Sequence, residues 1–385
     1  MLMDLNDFIP PTFLLKGGLS GAKAEDSERE RFAIYVRTAK PTIENCFGLE
    51  FPDHSELGDL SPGVGGEEVE EGKDGKEGED VEGDGECGHG EGGDEEKKGS
   101  GSDDKNCETG ALWIVKPAAS TNRGCGIQVC EGYDQVIDVV SKKGKSKLNN
   151  RLTKRHGWVV QKYMERPFLI EGRKFDLRVY VLFTVNKGGK RPVNSYMYNE
   201  FYVRTSGVVY NTSRKGVKNT MMHLTNDAVQ KKVKDNYGKH EMANKLSMAD
   251  FGEYLTEKKG VGADYVESSL RPRLREIVRI TAESVEAKLN KNGRKHGFEL
   301  MGYDFMIDEN LTPWLIEVNS NPCLEQPCPL LERLIGEVVE STFQIGVDRF
   351  FPPPKVQTKK CGEAVRAIEE LKKGNKFELV VGEDS

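Results

Sequence analysis

The segment FELMGYDFMIDENLTPWLIEVNSNP, Phe298 to Pro322, alternates apolar and polar residues on either side of a short polar turn. It places carboxylates where a half-buried sheet would carry apolar side chains. With the turn centred on Glu309 to Thr312, Asp304 faces Glu317 across the hairpin, and Asn319 lies two residues further along the same face. Two like charges opposed on a sheet repel unless a cation lies between them, and hard oxygen donors suit Mg2+ better than zinc. Magnesium in turn points to a bound polyphosphate. The alternative is a solvated hairpin with its charges on the wet face.

Outward from this hairpin, strands and helices interleave, which predicts an α/β or α+β fold. Strands are expected at Pro11 to Leu15, Leu112 to Lys116, Ile127 to Cys130, Trp158 to Tyr163 and Lys174 to Thr184, with a further hairpin on Tyr196 to Thr205. Helices are expected over Ser27 to Val36, Tyr133 to Val140, Leu270 to Lys291 and Leu330 to Ile345, with a weaker one from Glu363 to Lys373. This leaves 1–55 with 111–157 and 158–354 as the two folded parts, 56–110 as an insert and 355–385 as a peripheral tail.

The net charge of −7 over 385 residues averages two unlike parts. Residues 66–107 hold 17 Asp and Glu against 5 Lys, with twelve glycines, so the remaining chain is mildly basic. Such a segment buries too little apolar surface to offset its ordering entropy and reads as a disordered acidic insert. Lys142, Lys143, Lys145, Lys147, Arg151, Lys154 and Arg155 form a run without an acid, either a solvated loop or a landing site for an acidic partner. Eight scattered cysteines without a paired CxxC exclude a disulfide framework or zinc ribbon, and Cys323 and Cys328 read as reduced structural thiols. No run of eighteen apolar residues occurs and no export signal opens the chain, so a cytoplasmic monomer is expected, with neither membrane nor nucleic acid as partner.

Four further stretches carry candidate chemistry. Lys116 ends the strand LWIVK, and Asn122-Arg123-Gly124-Cys125-Gly126 follows, where glycines would let backbone approach a phosphate. In KFDLRVYVLFT, period two sets Lys174, Asp176, Arg178 and Tyr180 on one face against Phe175, Leu177, Val179 and Val181 on the other. Arg204, in YVRTS, supplies a second guanidinium for a carboxylate or phosphoryl group. The peptide MHLTND holds His223, Thr225 and Asn226 in an expected loop.

In this order, LWIVKPAAS, VVQKYMERPFLIEGRKFDLRVYVL, YVRTS, HLTND followed by AVQKK, and the Phe298–Pro322 hairpin resemble the tubulin-tyrosine ligase family. The resemblance implies an ATP-grasp fold, with ATP between two α+β layers and a carboxylate joined to an amine through an acyl phosphate. Carried over by motif, it implies that Lys116, Arg123 and Gly124 contact the nucleotide phosphates, and that Gln161, Lys162, Tyr163 and Met164 form the hinge around adenine. Lys174 and Asp176 would face phosphates and ribose, Thr225 and Asn226 would complete the pocket, and Asp304, Glu317 and Asn319 would hold Mg2+. Arg178 and Arg204, with Lys174, would be catalytic, orienting the acceptor carboxylate and stabilising the oxyanion.

The partners implied are the acidic C-terminal tail of tubulin or microtubules and a free amino acid, with cytoskeletal or ciliary association. Little chain precedes Phe8, where tyrosine ligases of the family carry a further region, so the basic loop is expected to grip the tail. Asp227 stands where glutamylating members commonly have Tyr, and its charge would repel a glutamate side chain. Tyrosine is therefore the expected amino acid, ahead of glutamate and glycine. A non-catalytic tail-binding module is the second class of function, and an autoinhibitory insert a third idea.

Overall fold

The computed structural model describes residues 9–15, 111–118, 124, 126–141, 157–186, 189–217, 219–232, 235–348, 350–351 and 374–382. The expected helix from Ser27 to Val36, the acidic insert, Arg123, the basic loop and the helix from Glu363 to Lys373 lie outside the described residues. Two antiparallel sheets and the helices packed on them make a mixed α+β architecture.

The smaller sheet holds β1 (Thr12–Leu15), β2 (Leu112–Pro117), β3 (Gln128–Glu131) and β4 (Trp158–Lys162), in the order β1-β4-β2-β3. Alternation places Trp113, Val115, Cys130 and Val160 on one face, where Val136 and Val140 of α1 (Gly132–Ser141) cover them. The other face carries Ile114, Lys116 and Gln161. In this sheet β4 lies between β1 and β2, pairing with both, and ends at Lys162.

The larger sheet runs β10-β9-β5-β6-β11, with β7 on β5 and β8 on β7. Its members are β5 (Arg173–Val185), β6 (Val193–Tyr198), β7 (Tyr202–Val209), β8 (Lys245–Ser247), β9 (Phe298–Ile307), β10 (Pro313–Asn319) and β11 (Phe377–Val381). The hairpin expected on Tyr196 to Thr205 does not form. Both β6 and β7 run antiparallel to β5, β6 beside Val181–Val185 and β7 beside Arg173–Arg178. At 13 residues, β5 is long enough to seat two short strands end to end, and Asn199 to Phe201 interrupts the chain without reversing it.

Both faces of β5 are covered. Phe175, Leu177, Val179 and Val181 join Phe251 and Leu255 of α2 (Met248–Lys259) and Leu274, Ile277 and Val278 of α3 (Arg271–Leu289). On the other face Tyr180 and Leu182 lie under Leu331, Leu334, Ile335 and Val338 of α4 (Pro329–Gly346). Local signals set the helix ends. Ser247 Oγ caps α2 by accepting from Asp250 N, Gly260 closes it in the left-handed region, and prolines open α3 and α4. The tail read as peripheral enters the core: β11 pairs with β6 and buries Phe377 against Tyr198. No helix of the described residues is long and apolar enough to cross a membrane.

Candidate active site

The hairpin β9–β10 achieves the expected facing of Asp304 and Glu317 through a bulge. Near the turn Pro313, Trp314 and Leu315 oppose Ile307, Met306 and Phe305; the register then shifts by one residue, so that Glu317 pairs with Asp304 and Asn319 with Gly302. Without the extra residue Glu317 would oppose Tyr303. Asp308 organises the turn, where Oδ1 accepts from Asn310 N and Thr312 N at 2.9 Å each and Oδ2 accepts from Trp314 Nε1 at 3.0 Å.

Next to it, β5 contributes the charged half of its polar face. Arg178 Nε donates to Asp304 Oδ1 at 2.6 Å and Nη2 to Oδ2 at 3.2 Å. Arg204 on β7, opposite Asp176 in the register, donates to both Asp176 oxygens at 2.6 and 2.8 Å and reaches Asp304 Oδ2 at 2.8 Å. Thr225 Oγ1 donates to Asp176 Oδ2. Burial pushes the Asp304 carboxyl up, but Arg204 and Arg178 overcome it and hold the group well below the usual range. The two guanidinium groups thus spend most of their donors on Asp304 and Asp176. Arg178 Nη1 is left buried without a partner.

Glu317 has no such support. Solvent reaches its side chain, yet protein surrounds it on most sides, as in the wall of a cleft. Burial and then the Asp304 charge raise its pKa, and Asn319 Nδ2 donates to its Oε1 at 3.2 Å while also lying 3.3 Å from Asp304 Oδ2. An under-neutralised pair of carboxylates beside a side-chain amide is an oxygen donor set suited to a hard divalent cation. Among the described residues no three His, Cys, Asp or Glu converge. Two carboxylates and an amide match magnesium, which takes one or two carboxylates and fills its shell with water and phosphate oxygen.

The smaller sheet presents Lys116 to the same place. Its Nζ donates to Gln161 Oε1 at 3.2 Å, and Gln161 Nε2 donates to Thr12 Oγ1 at 3.0 Å. Burial lowers the Lys116 pKa, with Glu317 and Asp304 pulling it back. Lys174 on β5 is 3% exposed; burial takes its pKa down to about 7, Asp176 opposing and Lys116 adding to the fall. Neither ammonium has a carboxylate within 4.0 Å among the described residues. A buried lysine and a half-buried one, one from each sheet and neither ion-paired among the described residues, suit an anion.

The remaining expected residues divide. Tyr163 is buried against Lys174, and Gly124 (φ 76°) sits where a Cβ would meet Leu224 Cδ1 at 3.0 Å and Val229 Cγ2 at 3.2 Å, bringing the glycine loop onto the HLTND segment. Asn226 Oδ1 there is buried and unpartnered. Lys162 turns its side chain to the other face, over the Trp113 ring at 5.7 Å. Met164, past the strand end, has no polar contact among the described residues. His223 joins the site through its ring, and Lys245 through Asp227 Oδ1 at 2.5 Å. The HLTND motif was the only signal for His223, and nothing in the pattern marks Lys245.

The class so defined is an α+β protein with an anion-seeking, cation-suited cleft walled by two antiparallel sheets. The chain belongs to the tubulin-tyrosine ligase family, whose model matches residues 95–358. It is similar to tubulin glycylase 3C of Tetrahymena thermophila, 34% identical over 249 residues, which covers 63% of this chain and 21% of that protein. Human protein monoglycylase TTLL8 is 31% identical over 244 residues, 62% of this chain and 26% of its own. Human tubulin monoglutamylase TTLL4 is 34% identical over 240 residues, 60% of this chain and 18% of its own. The chain thus aligns with about a fifth to a quarter of the length of these relatives.

Proposed function

We propose that this chain is an ATP- and Mg2+-dependent ligase of the ATP-grasp kind that adds an amino acid to the acidic tail of tubulin. The observation that carries the reading is that Lys116 and Lys174, from the two sheets and neither ion-paired among the described residues, act on one another beside the Asp304–Glu317 pair. A polyphosphate supplies the charge both lysines lack. The nucleotide would lie between the sheets, with Lys116, Lys174 and Gly124 to hold its phosphates and Gln161 to Met164 its base, where Met164 backbone groups have no hydrogen-bond partner among the described residues. Asp176, Thr225 and Asn226 line the ribose side.

Asp304, Glu317 and Asn319 would hold Mg2+, which when bound neutralises the oxygens of the transferring phosphoryl group. In the reaction class proposed, the tail carboxylate takes the γ-phosphoryl group, the amino group of the incoming amino acid attacks the acyl phosphate, and inorganic phosphate leaves. Lys174 presents the N–H that protein acceptors leave over. Arg178, whose Nη1 has no acceptor among the described residues, would be the donor for the oxyanion. Arg204, bound to two aspartates, serves to hold Asp176 and Asp304 in place.

The amino acid we assign is glycine or glutamate. The relatives above carry those activities in their names, and the ground for tyrosine that rested on the Asp227 charge does not hold. Asp227 is paired with the buried Lys245, so it presents no bare charge to an incoming carboxylate. Acting on tubulin, the protein would associate with the cytoskeleton or cilia. The test is incubation of the full chain with ATP, Mg2+, tubulin-tail peptide and glycine, glutamate or tyrosine in separate tubes, with products weighed by mass spectrometry. A glycine or glutamate adduct is expected; a tyrosine adduct overturns the amino-acid assignment, and ATP binding with no adduct in any tube overturns the ligase reading.

A further inference from the structure

Behind Lys174 lies a chain of hydrogen bonds whose direction can be worked out from its far end. His223 Nε2 sits 3.0 Å from Gly216 O and 3.1 Å from Val217 O, both of which can only accept, so Nε2 carries a hydrogen. Burial and the nearby Lys174 charge lower the His223 pKa to about 4, so the ring is neutral and Nδ1 holds a lone pair. Tyr163 Oη lies 2.6 Å from Nδ1 and must donate to it. That leaves the tyrosine oxygen as an acceptor, and Lys174 Nζ donates to it at 3.1 Å. His223 O takes a second, longer contact from Nζ at 3.5 Å, and the cation lies 4.4 Å from the centre of the Tyr163 ring.

We propose that Tyr163 and His223 are positioning residues for Lys174, a one-way chain from backbone carbonyl to ammonium that holds the cation for the nucleotide phosphates. The proposal deepens the nucleotide reading above and rests on it. Two acceptors take hydrogens on one side of the ammonium, and the third hydrogen remains for a ligand. A flexible lysine could otherwise adopt many rotamers at a cost to each bound state. With the tautomer of His223 fixed by the carbonyls, Tyr163 cannot turn its hydrogen toward Lys174 without losing a buried bond. The chain also joins the layers: Tyr163 follows β4 of the smaller sheet, Lys174 is on β5 of the larger, and His223 ends the one-turn helix Thr220–His223. Placing the nucleotide lysine is thereby tied to how those segments meet.

The test is a double-mutant cycle on binding of ATP with Mg2+ to the full chain, read by calorimetry, with Tyr163→Phe made in the wild-type and Lys174→Met backgrounds. Phenylalanine keeps the ring and removes the hydroxyl. A lost bond to a charged group corresponds to about a tenfold or larger weakening. The expected result is that weakening in the wild type and less than about a twofold effect in Lys174→Met, because the hydroxyl acts through the lysine. A structural role alone would weaken both backgrounds equally, and that outcome, or no effect in either, overturns the proposal while leaving the nucleotide site standing. A wild-type chain that binds no ATP overturns the site and the proposal together. Should Tyr163→Phe not fold, His223→Leu, which removes the acceptor for Tyr163, is run through the same cycle with the same criteria.

Discussion

Lys174 occupies an environment that a lysine on its own would avoid, and its chemistry follows from that. Burial lowers its pKa to about 7 against an ordinary 10.5. The folded value lies below the unfolded one, so the unfolded chain binds more protons between about 7 and 10.5, and stability rises with pH across that window. Replacing the lysine with methionine removes a cost on the order of a few kcal/mol at neutral pH, so Lys174→Met is expected to raise Tm while weakening nucleotide binding. Binding has the opposite pH dependence. A polyphosphate favours the charged lysine, so affinity for ATP with Mg2+ should fall as pH rises above about 7, by up to about tenfold per pH unit, and Lys174→Met should flatten the profile. Titration calorimetry at several pH values checks both slopes. Glu317 gives a companion case: Glu317→Gln removes a carboxyl that its neighbour repels, so Tm should hold while ligation falls about 100-fold or more. A mutant with normal turnover would dismiss the cation site. These positions were legible in the sequence, because period two marks the polar face of β5 and a carboxylate on a half-buried strand is conspicuous. The occupancy of Arg178 and Arg204 was not, since their aspartate partners lie on other strands and depend on the sheet order.

At the scale of the element, the hairpin β9–β10 was predicted in type and position but not in its bulge. A single extra residue at the Leu315 to Glu317 step sets which face Glu317 joins, and spacing from the turn cannot reveal it. The glycine before Tyr303 shows a related constraint. A Cβ at Gly302 would lie 2.9 Å from Pro322 Cβ and 3.2 Å from both Cδ and Nε of Arg178. Gly302→Ala is therefore expected to push Arg178 off Asp304, slowing turnover by roughly tenfold or more for a misplaced donor. Steady-state kinetics with varied acceptor peptide would show it in kcat, and unchanged kcat would mean that Arg178 accommodates the methyl. The false hairpin at Tyr196 to Thr205 has a similar origin: two apolar runs with a polar break read as a reversal, whereas β5 offers one long edge that both strands share.

At the scale of the whole molecule, the two sheets do different work, the smaller one contributing Lys116 and the larger one the carboxylates, and the last described strand bears on the second. Read from sequence, NKFELVVGED follows a polar tail and has no partner nearby, because β6 lies almost two hundred residues earlier. In the fold β11 extends the sheet beyond β6. Phe377 packs edge-on to Tyr198 at 5.1 Å, Arg271 donates to Glu378 at 2.8 Å, and Lys376 donates to Glu337 on α4 at 2.6 Å. The exposed ion pairs contribute little, so the weight falls on Phe377 and Val381, which are 7% and 6% exposed. Truncating a buried phenylalanine costs about 3–5 kcal/mol. Phe377→Ala should accordingly shift the denaturant midpoint down by that loss of stability, while Glu378→Ala, at the surface, should cost about 1 kcal/mol or less. Because β6 pairs with the half of β5 remote from Lys174 and Arg178, nucleotide affinity measured well below the melting temperature should stay within about twofold in both variants. Equal midpoints for Phe377→Ala and wild type would return the strand to the peripheral role first expected of it.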